Sequence, residues 1–245
     1  PISMKFGRFL KTLGAAAVLG AVLCSCGRSD NKLVMVAEAT FPPYEFREGD
    51  RIVGIDVDIM TEVAREIGKE LVVEDMSFDS VISAVQSGKA DVAASGITVT
   101  EDRKRQIDFS VPYVEARQVI IVPGNSAIKG RDDLKGKRIG VQHGTTGDAY
   151  VTKNIQEPER FPNGALAVAA LNAGKIDVIV IDGEPAKIFA DRHKNLLILP
   201  EPLTVEEYAI AIRKGNTELL EQVNRVIRQL KENGGMAAIR AKYIK

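Results

Sequence analysis

The chain has 245 residues, of which 45% are hydrophobic and 27% charged. That composition supports one large or two small globular domains and excludes a low-complexity chain. Lysine plus arginine and aspartate plus glutamate number 33 each, so the formal charge is zero, whereas a partner recognised through nucleic-acid phosphates calls for a basic excess.

Residues 1–26 read as an export leader. Met4 is taken as the natural start and residues 1–3 as a remnant. Lys5, Arg8 and Lys11 precede an apolar run over 13–23, which has signal-peptide order and length. Without residues 1–25 the balance is 30 basic against 33 acidic residues. Leu23-Cys24-Ser25-Cys26 resembles the bacterial lipobox, which would make Cys26 the lipidated N-terminus. No cysteine follows Cys26, so the exported domain is expected to rest on its apolar core rather than on disulfides. Residues 27–32 read as a tether.

In chain order, residues 33–37 form an apolar run of buried-strand type. Phe41-Pro42-Pro43-Tyr44 is a loop, since each proline removes a backbone donor. Asp56 is expected to cap a helix reaching residue 67, on the spacing of Ile59, Met60, Val63, Ala64 and Ile67, with Gly68 as its stop. A strand over 71–74, a helix over 79–87 and a strand over 91–95 follow. Strand, helix, strand, helix, strand predicts a parallel α/β fold.

The pattern recurs. Residues 82–92 align with 168–178, sharing Gly-Lys-x-Asp-Val at Gly88 and Gly174, and Arg138-Ile139-Gly140-Val141 echoes the first strand. Two similar α/β lobes are expected. Strands over 118–122 and 208–212 and a helix over 217–232 complete the elements. The chain is expected to cross near 114–117 and return near 206–210. The first lobe is then 33–115 with 209–245, the second lobe 116–208, and the two crossings form a two-stranded hinge.

Ligands of open parallel sheets sit beyond the carboxyl ends of the strands. Here those ends carry Glu38, Ser95-Gly96 leading to Thr98, Gln142, and Ile181-Asp182. Arg103 offers a planar fork for a carboxylate, although it reads equally as one more solvated base in Arg103-Lys104-Arg105. Asp182 offers a carboxylate, although it reads equally as the cap of a helix from Pro185. Taken together, the two charges suit a zwitterion. Phe41 and Phe78 are candidate side-chain walls, or else core. Gly144-Thr145-Thr146 precedes a helix whose free N–H groups suit an anion, although on its own it reads more readily as an ordinary turn. Only two histidines occur, His143 and His193, and the common metalloprotease, thiol-redox, hydrolase and phosphate-loop motifs are missing. No cofactor, metal or catalytic residue is expected.

Phe41-Pro42-Pro43-Tyr44-Glu45-Phe46, Gly54-Ile55-Asp56-Val57-Asp58, Gly96-Ile97-Thr98-Val99-Thr100-Glu101-Asp102-Arg103 and Ile107-Asp108-Phe109-Ser110-Val111-Pro112-Tyr113 resemble the polar amino-acid substrate-binding proteins of bacterial ABC importers, the family 3 extracellular solute-binding proteins. The resemblance runs from residue 33 to the C-terminus. It implies a two-lobed, type II periplasmic-binding-protein fold that closes about its hinge and delivers an amino acid to a membrane permease. By the same resemblance Arg103 and Thr98 would hold the α-carboxylate, with Thr145 and Thr146 beside it from the second lobe. Asp182 would take the α-amino group, Gly96 would contribute backbone, and Phe41 and Phe78 would flank the side chain. Glu38 stands where relatives commonly hold aspartate and would address the far end of the ligand, while Tyr243 stands near a familiar tryptophan position.

The expectation is therefore a monomeric, lipid-anchored, extracytoplasmic receptor with no nucleic-acid partner. Glu38 favours a basic ligand, arginine or lysine, held between two aromatic faces; glutamine is the alternative. A cyclohexadienyl dehydratase-like enzyme on the same fold, using His143 and Glu38, is the rival from another class.

Overall fold

The computed structural model describes residues 31–244. The expected leader with Cys24 and Cys26, and the tether up to residue 30, lie outside the described residues.

The chain runs β1 (Lys32–Ala37), β2 (Thr40–Phe41), β3 (Glu45–Glu48), β4 (Arg51–Val53), α1 (Ile55–Glu66), β5 (Glu70–Asp75), α2 (Phe78–Gln86), β6 (Val92–Ala93), α3 (Glu101–Lys104), β7 (Ile107–Phe109) and β8 (Val114–Ala116). It continues through β9 (Gln118–Pro123), β10 (Ile139–Gln142), α4 (Thr146–Asn154), β11 (Glu159–Phe161), α5 (Gly164–Asn172), β12 (Val178–Asp182), α6 (Gly183–Arg192), β13 (Leu196–Ile198) and β14 (Glu206–Tyr208). It ends with β15 (Ala211–Arg213), α7 (Thr217–Glu232) and α8 (Gly235–Tyr243).

Two five-stranded sheets result, ordered β5-β1-β6-β15-β7 and β11-β10-β12-β9-β13. In each, three parallel strands are followed by one antiparallel strand, β15 or β9, and by an edge strand, β7 or β13, that pairs antiparallel with it. Both faces of each sheet are covered. In β1 the alternate residues Leu33, Met35 and Ala37 join one core, with α1 and α7, while Val34 and Val36 join another, with α2. In β12, Ile179 and Ile181 pack towards α5 and α6, and Val178 and Val180 face the opposite side. Burial on both faces is why these strands read as unbroken apolar runs.

The internal repeat is structural. Gly88 and Gly174 end their helices at φ of 75° and 67°, the left-handed stop that glycine accommodates. Asp91 and Asp177 follow, each accepting a backbone N–H of the neighbouring strand at 2.8 Å, from Val34 and Arg138 respectively. Between the sheets, β8 pairs antiparallel with β14, a two-stranded connection of the kind expected of the hinge.

Several local expectations are corrected. Asp56 does not cap its helix. Gly54 occupies that position, and Asp56 is fully buried inside the first turn. The expected strand over 208–212 is two strands, because the chain leaves its pairing with β8 and enters the first sheet. Residues 208–212 are all buried, so composition could not mark the change of partner. Strand 118–122 is β9 of the second sheet. The strand expected over 91–95 shrinks to Val92–Ala93, as the chain then turns into the loop that carries Ser95 to Thr98.

Candidate functional site

Within each sheet the chain departs to one side and returns on the other, which makes the carboxyl ends of β1 and β6, and of β10 and β12, switch points where a crevice opens. Glu38 follows β1, Ser95 and Gly96 follow β6, Gln142 ends β10 and Asp182 ends β12. These ends meet. One cavity is lined by Phe41, Phe78, Ser95, Gly96, Thr98, Arg103, Gln142, Thr145, Thr146 and Asp182. Glu38 adjoins it, accepting from Gln142 Nε2 at 3.3 Å.

At one end lies Arg103. It is buried, while its neighbours Lys104 and Arg105 are exposed and pair with Glu101 and Asp102, so the solvated-base alternative is set aside. Thr100 caps the short α3 by accepting from the Arg103 backbone N–H. The guanidinium donates to the Thr98 carbonyl at 2.9 Å and to the Gly144 carbonyl at 3.1 Å, and stacks 5.5 Å from the Phe78 ring centroid. Two of its five N–H groups are thus occupied by carbonyls. No carboxylate pairs with it among the described residues, and the three N–H groups left suit an anion. Burial lowers its pKa, and the charges of Glu206 and Asp182 oppose that shift.

Asp182 is the second charge. It stands at the N-cap position of α6 without a side-chain cap bond, and accepts instead from the Tyr208 hydroxyl. Burial pushes its carboxyl up to about 6, the Tyr208 bond pulls it down, and Glu206 pushes it up.

Glu38 is the third, only 6% exposed. Its partners are the Thr40 hydroxyl and Gln142, and it joins no ion pair among the described residues. Burial raises its pKa, with the two hydrogen bonds opposing. Phe41, stacked on Tyr44, lies against Gly96. Gly96 has a φ of 52°, and a Cβ there would sit 2.8 Å from the Phe41 ring, so the aromatic wall requires glycine.

Three acidic residues that complete this arrangement were not expected at the site from the sequence. Asp56 Oδ2 accepts the Gly96 N–H at 2.9 Å, and Glu45 Oε1 accepts the Ser95 hydroxyl at 2.7 Å. The two carboxyl groups are fully buried and adjacent, each with one oxygen otherwise unpartnered. Burial, then the Asp56 charge, raises Glu45 far above the carboxylate range, and burial pushes Asp56 up to about 6. A proton shared between them is the arrangement that low polarity favours. Asp56 precedes Ile59, Met60 and Val63 at buried-face spacing, which is the signal that marks it as buried. Glu206, on β14, accepts from the Thr98 and Thr146 hydroxyls at 2.8 and 2.7 Å; it shares its face with Tyr208 at strand period two. His143 lies on the rim, half-exposed, with its Nδ1 3.5 Å from Asp79.

The family model of the bacterial extracellular solute-binding proteins, family 3, matches residues 33–245. The "Arginine-binding extracellular protein ArtP" of Bacillus subtilis (strain 168) is 31% identical over 245 residues, covering 93% of this chain and 94% of that protein. Among solved structures, the arginine-bound form of a truncated ArgBP from T. maritima aligns with a TM-score of 0.79 at 41% identity, over 82% of this chain and 96% of that one. An ancestral arginine-binding protein aligns with a TM-score of 0.83 at 38% identity, both bound to arginine and bound to glutamine, over 88% and 89% of this chain and 99% of that one.

Proposed function

Because the chain belongs to the bacterial extracellular solute-binding proteins, family 3, we propose that it captures a free basic L-amino acid, arginine before lysine, outside the cytoplasm and delivers it to a membrane ABC permease. In this reading Arg103 takes the α-carboxylate with backbone N–H groups at the start of α4, and Asp182 takes the α-ammonium. Phe41 and Phe78 flank the side chain, and Glu38 with Gln142 meets its far end. Several charge-assisted hydrogen bonds at about 1.5–3 kcal/mol each, with apolar contact, reach the roughly −8 kcal/mol of micromolar affinity.

The observation that carries the choice of ligand is Glu38. A carboxylate this buried, with no cation among its partners, costs desolvation that a guanidinium or ammonium would offset. The charge balance agrees: Glu206 and Asp182 act on Arg103, while Glu38 stands apart with Thr40 and Gln142. The relatives named above for arginine support it, and the glutamine-bound ancestral form keeps a neutral amide as second choice. Closure of the two lobes about β8 and β14 is the motion this reading requires, and a ligand drives it only by binding the closed form more tightly. The relatives are binding proteins, so the dehydratase alternative is not favoured. A lipid anchor at Cys26 and a monomeric state belong to the same reading and rest on sequence alone; intact mass of the membrane fraction and light scattering test them.

Calorimetry with the twenty amino acids tests the whole. Arginine is expected to bind most tightly, lysine next. Binding restricted to acidic or aliphatic amino acids overturns the reading.

A further inference from the structure

Glu206 reaches the cleft from β14, and the groups it holds come from both halves of the molecule. Its Oε2 accepts from the Thr98 hydroxyl, on the loop after β6, at 2.8 Å and from the Thr146 hydroxyl, on the first turn of α4, at 2.7 Å. Its Oε1 accepts from the Thr204 hydroxyl at 2.8 Å. Gln118 Nε2 lies 3.5 Å from Oε2 and donates to the Thr146 hydroxyl at 3.2 Å.

A hydroxyl has one proton to give. Thr98 and Thr146 both give theirs to Glu206, and Thr145 gives its own to the Gln142 carbonyl at 2.8 Å. None of the three threonine hydroxyls lining the cavity therefore has a proton left for a ligand carboxylate. What Thr98 and Thr146 present to the cavity is lone pairs, which attract an ammonium and repel an anion. Gln118, by donating to Thr146, makes that orientation over-determined.

We propose that Glu206 is a positioning residue that sets the Thr98 and Thr146 hydroxyls as acceptors for the ligand's α-ammonium, leaving the α-carboxylate to Arg103 and backbone N–H groups. The inference rests on the amino-acid reading above and sharpens it. The site selects for a free α-amino group through two neutral oxygens as well as through Asp182, and the selection is imposed from the hinge. A ligand with the same side chain and carboxylate but no amino group has nothing to offer those lone pairs.

The test compares L-arginine with 5-guanidinopentanoate, the same molecule without the α-amino group, on wild type and on Glu206→Leu. Thr98 and Thr146 share the single oxygen Oε2, which a glutamine amide oxygen could replace, whereas leucine offers no acceptor and both hydroxyls lose their orientation. Glu206→Leu is expected to weaken L-arginine about tenfold to a hundredfold, the range for a hydrogen bond to a charged group, and 5-guanidinopentanoate by no more than about twofold, within ordinary additivity error. Equal weakening of both, as a merely structural role predicts, or of neither, overturns the proposal while leaving the amino-acid reading intact. Wild-type protein that binds no amino acid overturns both. Should Glu206→Leu fail to fold, Thr98→Val carries the same comparison: selective loss of arginine binding supports the proposal, and parallel loss of both ligands refutes it.

Discussion

Arg103 Nη2 donates to the Gly144 carbonyl at 3.1 Å, joining a helix of the first sheet's loops to the turn ahead of α4. The same guanidinium holds the Thr98 carbonyl through Nη1 at 2.9 Å. One planar group thus aligns both walls of the cleft and still directs N–H groups inward. Arg103→Ala is expected to abolish binding, a loss of at least about 3 kcal/mol, because it removes one partner of a desolvated charge pair. Arg103→Lys keeps the charge but cannot fork to both carbonyls and a carboxylate at once, so at least a tenfold loss, about 1.4 kcal/mol, is expected. Near-wild-type affinity by calorimetry in either variant removes Arg103 from the site.

Acidification is expected to move affinity and stability in opposite directions. Asp182 must be ionised to hold an ammonium, and burial pushes its carboxyl up to about 6. Affinity therefore falls as pH drops below that value, while the ligand's amino and guanidinium groups keep their charge. Asp182 faces Tyr208 and Glu206, and of these Glu206 works to raise it further. Stability follows the other sign. Asp56 and Asp182 are both raised from 3.8 to about 6, so between those values the native state binds more protons than the unfolded chain, and unfolding free energy decreases as pH rises. Ligand-free protein is expected to resist denaturant better at pH 5 than at pH 7.5, while calorimetry finds weaker binding at pH 5. Affinity that is flat between the two pH values rules out Asp182 as the ammonium receptor.

The fold was legible because its signals are local and repeated. Gly-Lys-x-Asp-Val at Gly88 and Gly174 marks two equivalent helix-to-strand turns, and the strand-end rule then points to Glu38, Ser95, Gln142 and Asp182. Arg103 was less secure: nothing in Arg103-Lys104-Arg105 distinguishes the buried base from its exposed neighbours, which only the three-residue spacing from the Thr100 cap resolves. Asp56 was misread because an acid near a helix start ordinarily caps it, although its place on the apolar stripe argued for burial. Glu206 was out of reach, since its partners Thr98, Thr146 and Gln118 lie 60 to 108 residues away in the chain and no spacing rule connects them.

Glu38→Gln tests the ligand's far end. The substitution keeps the shape and leaves the partners Thr40 and Gln142 in place, but it removes the charge that burial makes costly. Arginine is expected to lose at least about tenfold, since a charge-assisted hydrogen bond becomes a neutral one, while glutamine is expected to lose little or to gain. The ratio of the two affinities, by titration calorimetry, is the measurement. A ratio that does not change assigns Glu38 a structural part only.

The Glu45–Asp56 pair separates a missing proton from missing packing. In Glu45→Gln the amide N–H takes the place of the shared proton, donating to Asp56 while its oxygen still accepts from Ser95. Stability is therefore expected to change little, within about 1 kcal/mol, and to lose part of its rise on acidification. Glu45→Ala and Asp56→Ala each leave a buried polar group unpaired, and each is expected to cost about 2–4 kcal/mol. Asp56→Ala also frees the Gly96 N–H that now bonds at 2.9 Å, so the loop against Phe41 loosens and affinity falls with stability. Urea denaturation of the three variants at pH 7.5 decides the matter. If Glu45→Gln is as damaging as Glu45→Ala, the two carboxyl groups do not share a proton, and the support for Ser95 and Gly96 must come from elsewhere.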